Sequence, residues 1–241
     1  MTPAHHVPEE LLLEYVTGAA SEPAALAVAC HLTLCAACAE RERGLEALGG
    51  AWLEQEAGAA ALAPGELEAM MGRLDEPLPD RYQPVAAPVA PPLLAPLGLP
   101  RPLLDYLTRG AAAPAWRFLV PGVRVIDLPI GAPAEVRSGP ATGLPGTPTA
   151  PEAVARLVAF KGGVKIPPHD HGGPEYIIVF AGALEEKDGR FDRGDISVRS
   201  PGERHEQIAV PGQTCVSLVI NEGRLLPLTL RGRLLLALAG D

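Results

Sequence analysis

Nine prolines fall between residues 77 and 102, at Pro77, Pro79, Pro84, Pro88, Pro91, Pro92, Pro96, Pro100 and Pro102, with mostly alanine, valine and leucine between them. Each proline fixes φ and removes a backbone donor, so neither an uninterrupted helix nor an inner strand can run through the stretch. It reads as a semi-rigid, polyproline-like linker carrying a domain boundary. The 241 residues, enough for one large or two small domains, therefore divide into residues 1–76, the linker 77–102, and residues 103–241.

The front part has helical periodicity throughout and no strand-like alternation. Residues 7–18 predict a short helix with Pro8, Glu9 and Glu10 in its first turn and Gly18 at its end. Ser21-Glu22-Pro23 opens a second helix that runs to about Leu32. Thr33 can cap a third, which continues through Leu45, Leu48 and Trp52, a stripe that lies opposite Glu42, Glu46 and Glu56 and requires burial. After Pro64, residues 65–74 repeat the pattern with Leu67, Met70 or Met71, and Leu74. Roughly 75 residues of short helices cannot bury all these faces internally; the paired methionines suit an adaptable partner surface or intramolecular packing.

Within these helices stands His31-Leu-Thr-Leu-Cys35-Ala-Ala-Cys38. One imidazole and two thiols within eight residues can bring three nitrogen and sulfur donors to one point, which is how a borderline-soft divalent metal is held. A closed zinc site takes a fourth ligand, and the unclaimed donors nearby are His5 and His6. A thioredoxin-like pair would require Cys35 and Cys38 to follow a strand of a βαβ unit, which residues 1–60 lack; two small buried helix residues are the other metal-free reading. Cys30 adjoins His31, faces elsewhere and reads as structural. Metal binding would supply much of the stability of helices this short.

The charge is unevenly spread. Residues 1–76 carry 13 acidic side chains against three arginines and no lysine, whereas residues 77–241 are nearly balanced. An acidic domain repels nucleic acid directly and is steered towards a basic protein surface, such as that of a DNA-binding protein; alternatively the glutamates only solvate the helices. Four cysteines, two of them in metal spacing, argue against a disulfide scaffold. No stretch reads as a signal peptide, and the apolar tail 225–240 is interrupted by Pro227, Arg231 and Arg233 and falls short of the roughly 20 residues of a membrane span. A cytoplasmic protein without a membrane partner is expected. The tail 225–239 is a candidate surface for homo-oligomer formation.

Behind the linker, residues 103–108 predict a helical turn. Short β-branched runs then follow at 116–120, 123–128, 154–160, 176–180, 195–198, 207–210 and 215–220, separated by Pro and Gly turns, with a variable Gly/Pro/Thr loop at 138–151. This spacing predicts an all-β sandwich or barrel. The second chemical centre lies there. In an extended segment residues two apart share a face, so His169 and His171 can both point inwards, Glu175 returns on the next strand, and His205 is the natural fourth donor. Three histidines and a carboxylate suit Zn, Fe, Mn, Ni or Cu. Val164, Ile166, Ile178 and Ile196 are the expected cavity-facing residues, and few of them are substrate-anchoring groups.

These two centres resemble two known families. Gly163-Val-Lys-Ile-Pro-Pro-His169-Asp-His171-Gly-Gly-Pro-Glu175, closing at Gly182, is similar to the first cupin motif. Gly202-Glu-Arg-His205 fits the second, with Gly194 one residue further from Pro201 than usual and Ala209 where an Asn is expected. The front segment resembles the zinc-binding anti-sigma domain, whose HxxxCxxC matches His31, Cys35 and Cys38, with His6 the best match for the upstream His and His5 the alternative. Together they resemble the ChrR family of anti-sigma factors over nearly the whole chain.

The resemblance implies a small all-α zinc-binding domain followed by an all-β, jelly-roll-like cupin barrel. It implies that the helical domain binds an extracytoplasmic-function sigma factor and occludes it from core RNA polymerase, and that the cupin domain releases it under singlet oxygen or related oxidants. It implies zinc on His6, His31, Cys35 and Cys38, and zinc or another divalent metal on His169, His171, Glu175 and His205, with no catalytic residue. Tyr176, Phe180 and an exposed-looking Cys215 are candidate oxidant-reactive neighbours, or core. The rival expectation is a mononuclear cupin dioxygenase or isomerase with an accessory zinc module. A third is a redox sensor acting through Cys35 and Cys38 themselves.

Overall fold

Pro8 and the glutamates behind it open α1 (Glu9–Val16), whose Leu11 and Leu12 are buried. The Ser21 side chain accepts from the Ala24 amide and so caps α2 (Glu22–Leu32). Thr33 serves the end of α2 rather than the start of the next helix: its hydroxyl donates to the Cys30 carbonyl at 2.8 Å, and α3 (Ala36–Glu56) begins three residues on. A short α4 (Glu66–Gly72) runs into a 3-10 turn at Arg73–Asp75. The computed structural model describes residues 2–56, 63–77, 90–92, 94–108, 114–130, 153–230 and 232–234. Most of the proline-rich stretch, the 138–151 loop and residues 235–239 of the tail lie outside these.

The described end of the proline-rich stretch is not a bare tether. Leu94 and Leu99 are buried, and Arg101 opens α5 (Arg101–Leu107), which packs against α2 with Leu103 and Leu107 inside.

Two antiparallel sheets follow, without continuous closure into one barrel. The first is ordered β1 (Arg117–Val120), β2 (Val123–Leu128), β3 (Ala153–Phe160), β10 (Cys215–Glu222), β5 (Glu175–Ala181), β8 (Ile196–Arg199). The second is ordered β11 (Leu225–Pro227), β4 (Lys165–His171), β9 (His205–Ala209), β6 (Leu184–Glu186), β7 (Gly189–Phe191).

The centre of the first sheet, along β3, β10 and β5, is buried on both faces. Ile177, Val179, Val158, Phe160 and Val125 point between the sheets, with Leu184, Phe191 and Ala209 opposite. Their neighbours Tyr176, Ile178, Phe180, Leu157, Leu218 and Ile220 point outwards into a second core shared with Leu12, Leu26, Ala27, Val28, Leu94 and Leu103. An outer strand face this apolar needs a cover, and α2, apolar on nearly every side, supplies it. The helical part is therefore seated on the sandwich. Ser21 Oγ, donating to Glu222 at 2.6 Å, ties its edge.

Two expectations are corrected here. Ile178 and Ile196 belong to the core beneath the helices, not to the cavity, because their strand register turns them outwards. The α3 stripe is not buried within this chain: Leu45 packs, but Trp52 is 61% and Leu53 71% exposed. On α4 and the turn after it, Leu67, Met70, Met71 and Leu74 are exposed as well.

Candidate metal centres

His31 stands in the last turn of α2, Cys35 just ahead of α3, and Cys38 in its first turn. The sharp α2–α3 corner thus places three donors at one point, and His6 joins them from the N-terminal arm. His6 Nδ1 lies 3.3 Å from Cys35 Sγ and 3.5 Å from Cys38 Sγ. His31 Nδ1 donates to the Gly194 carbonyl at 2.9 Å, which leaves Nε2 buried with no hydrogen-bond partner. The four donor atoms lie within 4.8 Å of one another. Zinc bonds of about 2.0–2.3 Å make tetrahedral edges of about 3.3–3.8 Å, the observed S···N spacing.

The electrostatics favour a cation. Burial pushes the His31 imidazole down to about 4, so it is neutral and in its ligand form. Burial pushes the Cys38 thiol up, and Cys35 adds to this against the lowering bond from the Val7 backbone. The Cys38 thiol therefore does not readily ionise here without a cation beside it. His5 stays outside the cluster, stacked on Phe191 with ring centroids 4.0 Å apart.

The second cluster bridges the two sheets. His169 and His171 stand two apart on β4, His205 lies opposite His169 on β9, and Glu175 begins β5 in the other sheet. The turn between His171 and Glu175 depends on Gly173, where a Cβ would sit 1.3 Å from the Glu222 carbonyl oxygen. His205 Nε2 lies 2.9 Å from His171 Nε2, 3.0 Å from His169 Nε2 and 3.1 Å from Glu175 Oε2. Three ring nitrogens aimed at one another cannot all be satisfied by protons; metal–ligand bonds of about 2.1 Å generate such edges. All four side chains are buried.

A polar outer layer orients these side chains. His169 Nδ1 donates to the Pro167 carbonyl at 2.9 Å. His205 Nδ1 faces Glu186 at 3.3 Å, and Glu186 also accepts from Gln207 and pairs with Arg199. Burial opposes charge on His205, but its bonds to Glu175 and Glu186 push the imidazole up to about 9, so positive charge is favoured here. Burial also opposes ionisation of Glu186, yet His205 and Arg199 hold its carboxyl below the usual range. Sequence reasoning passed over Glu186 because β6 is three residues long and carries no apolar alternation.

A cavity of about 540 Å³ opens beside this cluster, with His169 and Glu175 in its wall. Val164 and Ile166 line it as expected, joined by Arg156, Lys165, Gln207 and Asn221, which make it more polar than the sequence implied. Cys215, expected to be exposed, is fully buried, and burial pushes its thiol up to about 11; such a thiol is inert. Tyr176 and Phe180 are likewise core residues.

This is a cupin-type sandwich with a helical module seated on its outer sheet. Anti-sigma-E factor ChrR of Cereibacter sphaeroides is 35% identical over 225 residues, which are 93% of this chain and 92% of that protein. This chain belongs to the ChrR family of anti-sigma factors. The ChrR cupin-like domain matches residues 148–225. The crystal structure of Rhodobacter sphaeroides SigE in complex with the anti-sigma ChrR matches with a TM-score of 0.62 at 34% identity, covering 90% of this chain and 98% of that one. An RmlC-like cupin protein of Ralstonia eutropha matches with a TM-score of 0.37 at 18% identity, over 51% of this chain and 71% of its own. Among the described residues no single helix is long and apolar enough to cross a membrane.

Proposed function

We propose that this chain is a cytoplasmic, non-enzymatic anti-sigma factor. Residues 1–76 form the unit that binds an extracytoplasmic-function sigma factor and keeps it from core RNA polymerase. Residues 77–102 connect it to residues 103–241, through which an oxidant such as singlet oxygen brings about release. Zinc on His6, His31, Cys35 and Cys38 shapes the binding unit; zinc or another divalent ion on His169, His171, Glu175 and His205 belongs to the sensing unit.

The observation that carries this reading is the apolar surface left open on acidic helices. Leu48, Trp52 and Leu53 on α3, with Leu67, Met70, Met71 and Leu74 further on, are all exposed. They stand among exposed Glu46, Glu54, Glu66 and Glu68. Exposed apolar side chains on each of these acidic helices fit a basic protein with apolar helix faces. The relative's name and the solved SigE–ChrR complex supply the kind of partner.

The test is transcription by reconstituted RNA polymerase with each such sigma factor of the source organism, with and without the metal-loaded chain. Inhibition of one factor, relieved by singlet oxygen, supports the proposal; no inhibition of any of them defeats it. The cavity beside His169 and Glu175 favours a second reading, a mononuclear cupin oxygenase or isomerase. Steady oxygen consumption by the iron-loaded chain on a small acid or thiol would establish that reading instead.

A further inference from the structure

We propose that Gly194 and Asp195 of the sandwich position the two histidines of the front cluster, so that loading this cluster and seating the helical module are one linked equilibrium. This rests on the metal reading of His6, His31, Cys35 and Cys38.

Both residues lie on the short turn between β7 and β8, remote in sequence from the ligands they serve. The Gly194 carbonyl accepts the Nδ1 proton of His31 at 2.9 Å. That bond fixes the tautomer and aims the Nε2 lone pair at the cluster, as an outer-sphere carbonyl does for a metal-bound imidazole. Asp195 acts on the other histidine through the backbone. Its Oδ1 accepts from the Ala4 amide at 2.6 Å and the His5 amide at 2.9 Å, the two residues immediately ahead of His6.

The carboxylate is itself fixed. It is 3% exposed, and its Oδ2 accepts from the Asp192 amide at 2.8 Å within the same turn. Burial opposes its ionisation, but the bonds from His5, Asp192 and Ala4 hold the carboxyl below the usual range. The turn is also shaped to admit the arm: Gly194 has φ +92°, and a Cβ there would sit 2.8 Å from Pro3 Cγ and 3.5 Å from Leu34 Cβ. A side chain at 194 would be strained in its backbone and would push the arm away.

The division of labour is specific. The α2–α3 corner places His31 and the two cysteines, while the sandwich fixes the His31 ring through Gly194 and the backbone ahead of His6 through Asp195. By reciprocity, the factor by which seating tightens the ion is the factor by which the ion tightens seating. A displacement of the β7–β8 turn therefore loosens the front ion without replacing any of its four donors.

The test uses the full-length chain loaded with cobalt(II), since the front cluster alone contains sulfur and alone gives thiolate-to-cobalt charge-transfer absorption. Titration against a competing chelator measures its affinity, and the remaining cobalt reports the sandwich cluster. Asp195→Ala should weaken the front site by about 10- to 100-fold while leaving the sandwich site loaded. Gly194→Ala, which keeps the carboxylate, should act in the same direction. Wild-type front-site affinity in both variants overturns the proposal while leaving the metal reading intact. A wild-type chain without a thiolate band overturns both, so the two failures are told apart by the parent protein.

Discussion

In the sandwich, four donors stand on strands that two apolar cores already hold in place, and their supports, Glu186 and the Pro167 carbonyl, come from the same domain. In the helical module, four donors come from the N-terminal arm, the end of α2 and the start of α3, His6 is exposed, and the supports come from the other domain. The difference is one of what holds what. A prebuilt scaffold positions its donors before any ion arrives, whereas short helices gain much of their stability from an ion where one is bound. The first arrangement suits a centre whose chemistry is to change while the fold persists; the second suits a shape that can be gained or lost.

The largest effect expected from this contrast is at Cys35. Cys35→Ser should abolish the front site and unfold α1 and the α2–α3 corner, because binding of a structural zinc in small domains contributes on the order of 10 kcal/mol. Circular dichroism should show helix loss while the sandwich keeps its ion and its cooperative melt. Helices that survive intact would erase the contrast. Glu175→Ala is the matching change in the sandwich. It should empty or weaken that site and lower the melting temperature, yet leave both sheets folded, since Phe180, Leu157, Leu218 and Ile220 do not depend on the ion. If the oxidant-driven release of the sigma factor persists in this variant, the sensing assigned to residues 103–241 is wrong.

Trp52→Ala sharpens the comparison from another side. An exposed side chain removed from α3 should change stability by no more than about 0.5 kcal/mol. Its loss from a partner interface should nonetheless cost about 2–4 kcal/mol of sigma-factor affinity, measured by calorimetry. Glu186→Gln gives the smallest effect, a drop of roughly 10- to 100-fold in metal affinity of the sandwich site. The front site should not change, and metal competition on the full chain reads both.

Much of this molecule is written locally. The helix starts at Pro8 and Ser21, the strand runs from Val123 to Leu128 and from Cys215 to Ile220, and the groups His31, Cys35, Cys38 and His169, His171, Glu175 depend on capping, alternation and ligand spacing, all visible within short windows, whereas His6 and His205 join from 25 and 30 residues away. What escaped depends on long-range pairing. Ile178 and Ile196 face the helices rather than the cavity because register sets which face a strand residue takes. Glu186 gains its role only once β6 lies beside β9. The seating of α2 on the first sheet did leave a trace: Tyr176-Ile177-Ile178-Val179-Phe180 has no polar face, and an antiparallel strand with solvent on one side would alternate. That unbroken run already required a cover on both faces.

The most direct test of the central claim is capture of a sigma factor by the full-length chain in two states, fully metal-loaded and with the Cys35 and Cys38 cluster stripped by chelation. The expected result is a one-to-one complex of the loaded chain with one extracytoplasmic-function sigma factor of the source organism, and its loss on stripping. A loaded chain that binds none of them, or a stripped chain that binds as tightly as the loaded one, would contradict it.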